Sequence, residues 1–398
     1  MITLRDTNHN RPRVVTSEAV ADGHPDKLCD QISDAVLDAC LTVDPASRVA
    51  VETAFKGHTV MLLGEITTTA RPDYAAIVRR VLAEVGHSEG RWGLQPERVR
   101  VLVEISEQEL EIGGAVGHDD SDVGAGDQGL MFGYADALGP GLMPLSYALA
   151  RALMLRQREV RLTDAGAILG PDAKSQVSIA FSNGAPVGIE AVVVSSQHVA
   201  GATLAQVQRV LREQIVDAVL PPELVTPRTH FYLNPSGSFV HGGPVADAGL
   251  TGRKIIADSY GGVAHHGGGA FSGKDATKVD RSAAYAARQI ARTIVASGAA
   301  RRCEVHVAYA IGVAEPVAID VETFGTGVEP DEVLAERVYP IVAPSLKPRA
   351  IIRRLDLRRP IFRATAAFGH FGRTDLGLPW ERPHAELAAT LPAPSDVS

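Results

Sequence analysis

The chain has 398 residues, 45% of them apolar and 22% charged, with a net charge of −8. That length accommodates two or three domains, and the composition provides a sizeable core and argues against overall disorder. The negative balance argues against nucleic acid as a main partner, so any anion site must be a local concentration of positive charge. Cys29, Cys40 and Cys303 are scattered with no pairing or metal-ligand spacing, as expected in a reducing cytoplasm. The N-terminal stretch MITLRDTNHNRPRVV has no apolar core and does not read as a signal peptide. The longest apolar region, Val305 to Val321, is broken by His306, Glu315, Pro316 and Asp320, so no membrane span is expected.

In chain order, residues 1–12 are polar. Pro25 suits the first turn of a helix and makes His24 its N-cap, with Leu28, Ile32, Val36 and Ala39 marking the buried face to about Leu41. The free N–H groups of this helix start stand beside His24, Asp26 and Lys27; an acid there can equally be a plain dipole partner. Strands are expected around Val49–Phe55 and Met61–Leu63, a helix from Tyr74 to Val85, and a strand over Val99–Val103. Glu52 and Glu65 fall within or at the ends of these strands, where a solvent-facing acid is the commoner fate. The segment from Gln108 to Gly129 is acidic, glycine-rich and aperiodic, and reads as a mobile functional loop or a linker. A helix entered through Pro144 follows, with Leu145, Leu149 and Leu153 on its face. Then come a hairpin turning at Asn183-Gly184 and a helix from Thr203 to Leu220. Further strands are expected at Arg253–Ala257, Glu304–Tyr309 and the alternating Val317, Ile319, Val321, while Ala389 onward reads as a frayed tail.

The stretch Gly261 to Asp280, GGVAHHGGGAFSGKDATKVD, carries the strongest chemical signal. Glycines allow close backbone approach to a ligand, and Lys274 and Lys278 precede a helix whose entrance holds Asp280, a pattern that suits phosphate. It almost satisfies the P-loop, but Asp275 stands where that motif needs Ser or Thr, and no apolar strand precedes it.

Several stretches together resemble the S-adenosylmethionine synthetase (methionine adenosyltransferase) family. They are Gly23-His24-Pro25-Asp26-Lys27 with Asp30 to Ala35, Gly124 to Gly133, Asp172 to Val177, Gly249 to Lys254, and Gly267 to Asp280. The resemblance spans Val14 to Trp380 and implies an α+β chain of three similar domains around a pseudo-threefold axis. On that reading the domains cover 13–111, 123–240 and 241–380, with a tail at 381–398. It implies dimers, often paired into tetramers, with active sites between subunits, and ATP and L-methionine as substrates. Two Mg²⁺ per site and K⁺ are implied as cofactors. In that family the methionine sulfur attacks C5′ of ATP, and the released triphosphate is cleaved to pyrophosphate and phosphate. A thioether carries no proton, so the nucleophile needs no general base; cations and donors aimed at the leaving polyanion are the suitable catalysts.

The resemblance assigns His24, Lys174, Arg253 and Lys274 as catalytic, and these with Lys254 as contacts to the phosphates. Asp172, Ala173, Ser238, Phe239, Asp247 and Ala270 complete the ATP positions, with Phe239 near the adenine. Glu65, Gln108, Asp127, Asp247 and Lys278 match the methionine positions; Asp26 and Asp280 match Mg²⁺ ligands and Glu52 the K⁺ ligand. Two departures stand out. Ser238 replaces the family's basic residue before Phe239, and Gln108-Glu109-Leu110-Glu111-Ile112 replaces Gln-Ser-Pro-Asp-Ile, so the loop over the site is atypical. The competing readings are an ATP-dependent phosphotransferase, which would leave ADP, and a non-catalytic nucleotide-binding scaffold.

Overall fold

The computed structural model describes residues 12–87, 90–107 and 124–391; the 108–122 loop, Gln108 included, lies outside them. The main elements are β1 (Arg13–Val20), α1 (Pro25–Val43), β2 (Arg48–Lys56), β3 (Thr59–Thr67), α2 (Tyr74–Leu82), β4 (Arg100–Ser106), β5 (Gly129–Asp136) and α3 (Leu145–Arg161). They continue with β6 (Leu169–Ser182), β7 (Ala185–His198), α4 (Leu204–Val210), β8 (His230–Leu233), β9 (Gly249–Leu250), α5 (Val279–Ala296), β10 (Arg302–Tyr309), β11 (Ala318–Glu322), α6 (Asp331–Ser345) and α7 (Pro348–Arg354).

Alternating apolar residues build three sheets, and each buries one face against a long helix. Their strand orders are β4-β3-β2-β9, β1-β6-β7-β8 and β11-β10-β5. Helix α1 covers the first sheet, α3 the second and α5 the third. Each sheet borrows one strand from elsewhere in the chain. Strand β1 pairs antiparallel with β6 from Arg13↔Phe181 to Val20↔Lys174. Strand β5 pairs with β10 from Gly129↔Tyr309 to Asp136↔Arg302. The short β9 joins β2 at Ala54↔Leu250 and Phe55↔Gly249. The N-terminal section thus lends a strand to the central sheet, the central section to the C-terminal sheet, and the C-terminal section to the first.

Local signals account for the helices. Pro25 opens α1 and His24 caps it, and Leu28, Ile32 and Val36 are fully buried. Thr203 and Gln206 form a capping box on α4, which passes into a wider turn over 211–216. Helix α5 is rich in alanine because β5 presses against it: a Cβ on Gly133 would lie 2.0 Å from the Ala287 carbonyl carbon. Asn183 and Gly184 both have positive φ, as the tight hairpin between β6 and β7 requires.

One expected strand is absent. Residues 253–257 form a turn and a one-turn helix, Ile255–Asp258. Gly252 N–H is fixed on Asp30 Oδ1 at 2.9 Å, Lys254 is drawn to Asp26, and Asp258 to the buried Lys27. Buried ionic moorings outweigh the strand propensity of Ile255 and Ile256.

Candidate active site

The first cluster gathers at the start of α1. His24 Nδ1 accepts the Asp26 backbone N–H at 3.1 Å, which leaves the ring proton on Nε2. Burial, then the ammonium groups of Lys254 and Lys174, push its pKa down to about 3, so the ring is neutral near pH 7. Asp26 Oδ2 accepts from Lys254 Nζ at 2.5 Å and Oδ1 from Leu250 N–H at 3.0 Å. Burial works against the Asp26 charge, but the Lys254 and Leu250 donors hold its carboxyl below the usual carboxylate range. Arg253 Nε stands 3.8 Å from Asp26 Oδ1, its side chain half exposed.

Below these residues lies a buried ionic group that composition alone did not reveal. Lys27 Nζ donates to Asp30 at 2.8 Å and also to Asp258. Burial pushes the Asp258 carboxyl up to about 7, opposed by Lys27. Lys27, Asp30 and Asp34 repeat at i, i+3 and i+7, an ionic stripe on a buried helix face and the signal that could have exposed them.

The central sheet contributes Asp172, Ala173 and Lys174 at the end of β6 that pairs with β1. Ala173 is buried and its carbonyl accepts from Ala21 N–H at 2.9 Å, while Lys174 is exposed. Asp172 Oδ2 accepts Gly243 N–H at 2.8 Å, its buried Oδ1 has no partner, and burial pushes the carboxyl up to about 6. Phe239 is clasped by His198, whose Nε2 accepts the Phe239 N–H at 3.0 Å and whose backbone N–H donates to the Phe239 carbonyl at 2.9 Å. Ser238 and Asp247 are exposed. The pKa influences of Lys174 on His24, and of Asp26 and Asp247 on Asp172, tie these residues into one electrostatic unit.

The second cluster is the glycine-rich loop. Its amides differ from a phosphate cradle in one respect: several are used within the protein. Gly273 N–H donates to Asp34 Oδ1 at 2.8 Å, Asp275 N–H to the Val49 carbonyl at 3.0 Å, and Gly268 N–H to His266 Nδ1 at 2.8 Å. The glycines answer to packing. A Cβ would lie 1.5 Å from the Leu130 oxygen at Gly267, 2.5 Å from the Asp280 carboxyl at Gly269, and 1.9 Å from the Val51 oxygen at Gly273. The loop therefore presents side-chain charge. Lys274 Nζ donates to Asp280 Oδ2 at 2.6 Å, and Lys278 Nζ to Asp275 Oδ2 at 2.5 Å. Arg281 grips Asp34 with bonds of 2.6 and 2.8 Å and also donates to the Lys274 carbonyl at 3.0 Å. Lys274 bridges to Ala50 of β2, whose partner on β3 is Glu65, so Glu65 lies in the row beside Lys274. Glu52, Glu65 and Asp127 are exposed.

Among the described residues, no hydrogen bond or ion pair joins His24, Asp26, Arg253 or Lys254 to Lys274, Lys278 or Asp280, although Asp34 of the α1 stripe holds Arg281. Asp26 belongs to one and Asp280 to the other. Ala270 lies at the seam, because a Cβ on Gly252 would come within 2.6 Å of the Ala270 Cβ. The charged residues thus fall into two groups: cations, Asp26 and the Phe239 clamp in one, and Lys274, Lys278, Asp280 and Glu65 in the other.

Three family models match in succession. The S-adenosylmethionine synthetase N-terminal domain matches residues 12–109, the central domain 122–239 and the C-terminal domain 241–382. Nearly the whole chain is covered, in the order of the three helix-backed sheets. The chain belongs to the S-adenosylmethionine synthetase family, the methionine adenosyltransferases that form S-adenosylmethionine from ATP and methionine.

Proposed function

We propose that ATP and L-methionine react between the first cluster of one chain and the second cluster of a partner copy. The separation of the charged residues into two clusters, each with its own ion pair, supports this reading. The thioether sulfur uses its lone pair to form the bond to C5′ while the C5′–O5′ bond breaks, and the triphosphate leaves with that electron pair. Water then cleaves the triphosphate to pyrophosphate and phosphate. No proton leaves the nucleophile, so neutral His24 acts as an Nε2–H donor toward the leaving polyanion, beside Lys174, Arg253, Lys254 and Lys274. Phe239 packs near the adenine, with Ser238, Ala173 and Ala270 as neighbours and Asp172 and Asp247 as polar contacts. Asp127, Glu65, Gln108 and Lys278 hold the amino-acid end of methionine.

Among the described residues no three acidic, histidine or cysteine side chains converge. This donor set fits Mg²⁺, which is commonly held by one or two carboxylates together with substrate phosphates. Asp26 and Asp280 would hold it, two ions per site, and Glu52 would hold K⁺; when bound, Mg²⁺ neutralises charge on the triphosphate. No helix among the described residues is long and apolar enough to cross a membrane, and the buried free thiols of Cys29, Cys40 and Cys303 suit a cytoplasmic location.

A mixing experiment tests the assembly. Asp26→Asn damages only the first cluster and Lys274→Ala only the second, so each variant alone should be nearly inactive. Exchanged dimers would each hold one intact site, returning about a quarter of wild-type activity in an equal mixture. No recovery after proven subunit exchange would place the whole site within one chain. Identification of S-adenosylmethionine, pyrophosphate and phosphate as products, with no ADP, tests the reaction itself.

A further inference from the structure

A cavity of about 700 Å³ lies apart from both clusters, between α6, α7 and the segment 379–386. Its volume falls in the range of small-molecule sites. Arg353, Arg354 and Arg382 line it, with Glu386 as the opposing carboxylate, so its wall carries a net positive charge in a chain of net −8. Prolyl rings of Pro340, Pro344 and Pro379 form its apolar sides.

Two buried nitrogen atoms in this wall lack partners, one on Arg354 and one on His384. Arg354 donates to neutral acceptors, Gln289 Oε1 and the Ser345 carbonyl at 3.2 Å, while its buried Nε has none. Burial lowers its pKa to about 10. By contrast the buried Arg281 and Arg288 each grip a carboxylate, Asp34 and Glu381. His384 is buried, its Nδ1 accepts Leu387 N–H at 3.4 Å, and its Nε2 has no partner. Burial, then the Arg354 charge, hold that ring down to about 4, so near pH 7 it is a neutral Nε2–H donor. A buried donor without an acceptor is costly, and the one carboxylate of the wall, Glu386, leaves the Arg354 Nε without a hydrogen bond. Planar guanidinium forks match the oxygens of carboxylate and phosphate groups.

We infer that this cavity binds a small metabolite bearing phosphate or carboxylate groups, which Arg353 and Arg382 capture at the rim and Arg354 and His384 hold within. The site is independent of the adenosyl-transfer half-sites and shares only α5 with them, through Gln289.

Calorimetric titration with inorganic phosphate and with citrate, at matched ionic strength, tests the assignment. Wild type should show a binding event that Arg353→Gln/Arg382→Gln weakens at least tenfold. Both replaced side chains are exposed, and an unchanged melting temperature would confirm that the variant is folded. Lys254→Ala, which alters only the phosphate-binding cluster of the adenosyl-transfer site, should keep the event. Tighter phosphate binding would assign a phosphorylated ligand, and tighter citrate binding a polycarboxylate. Absence of the event in wild type, its persistence in the double variant, or its loss in Lys254→Ala would each overturn the inference.

Discussion

Replacing Arg281 by methionine tests whether a buried ion pair sets the position of Lys274. Arg281 and Asp34 are both 0% exposed and joined by two bonds of 2.6 and 2.8 Å. The same guanidinium donates to the Lys274 carbonyl, and Asp34 also accepts the Gly273 N–H. Removing one partner of a buried pair costs about 3–5 kcal/mol, because the remaining charge stays uncompensated. For a chain of 398 residues, an unfolding entropy near 2.1 cal/mol/K per residue makes that a drop of roughly 4–6 °C in melting temperature. Turnover should fall along with stability, since Lys274 loses its support. Melting followed by the fluorescence of Trp92 and Trp380, beside initial rates, measures both effects. A deficit below about 1 kcal/mol would refute the mooring argument.

Three further outcomes are expected. His24→Asn preserves the helix cap, because asparagine is among the best N-cap residues, so stability should stay within about 1 kcal/mol while turnover falls ~100-fold from loss of one donor to the polyanion. Comparing melts with initial rates checks it, and equal losses in both would make His24 a cap alone. Asp26→Asn and Asp280→Asn should each lower turnover by at least ~100-fold at ordinary Mg²⁺ with folding intact, each decade corresponding to about 1.4 kcal/mol; near-normal rates in either would remove that residue from the metal site. Burial pushes the Asp172 carboxyl from 3.8 up to about 6, so its contribution is fully present below pH 3.8 and is lost as pH rises through 6. Asp172→Asn lacks that loss and should gain about 2–3 kcal/mol relative to wild type between pH 4 and pH 7; parallel denaturation curves would refute the shift.

Elements whose burial follows a simple period were legible before any coordinates. The stripe Leu28, Ile32, Val36 announces α1, and Asn183-Gly184 announces the β6–β7 turn, because each depends on neighbours close in sequence. Strand β5 was hidden, since GLMFGYAD carries a glycine that serves the close passage of α5. Helix α6 was hidden by Pro340 and Pro344 inside it. The segment 253–257 misled because its ion pairs come from α1, more than two hundred positions earlier. Spacing also did not announce how closely Gly267, Gly269 and Gly273 pack against Leu130, Asp280 and Val51. Spacing along a chain carries no record of which side chains share a surface, so it did not show the separation of the charges into two clusters.

The strand loans between sections bear on how the protein is made. On the ribosome, the first section emerges with β1 unpaired and with the edge of β2 lacking β9, and neither vacancy is filled until later sections appear. The central section in turn waits for β10 before β5 has a partner. Neither of the first two sections can therefore complete all its pairings while the rest is being translated, and each leaves an open edge ready to pair with another nascent copy. A truncated polypeptide ending after β8 would carry β5 and the β2 edge exposed together. Such fragments should aggregate or recruit chaperones rather than persist as domains, so the protein accumulates only as whole chains.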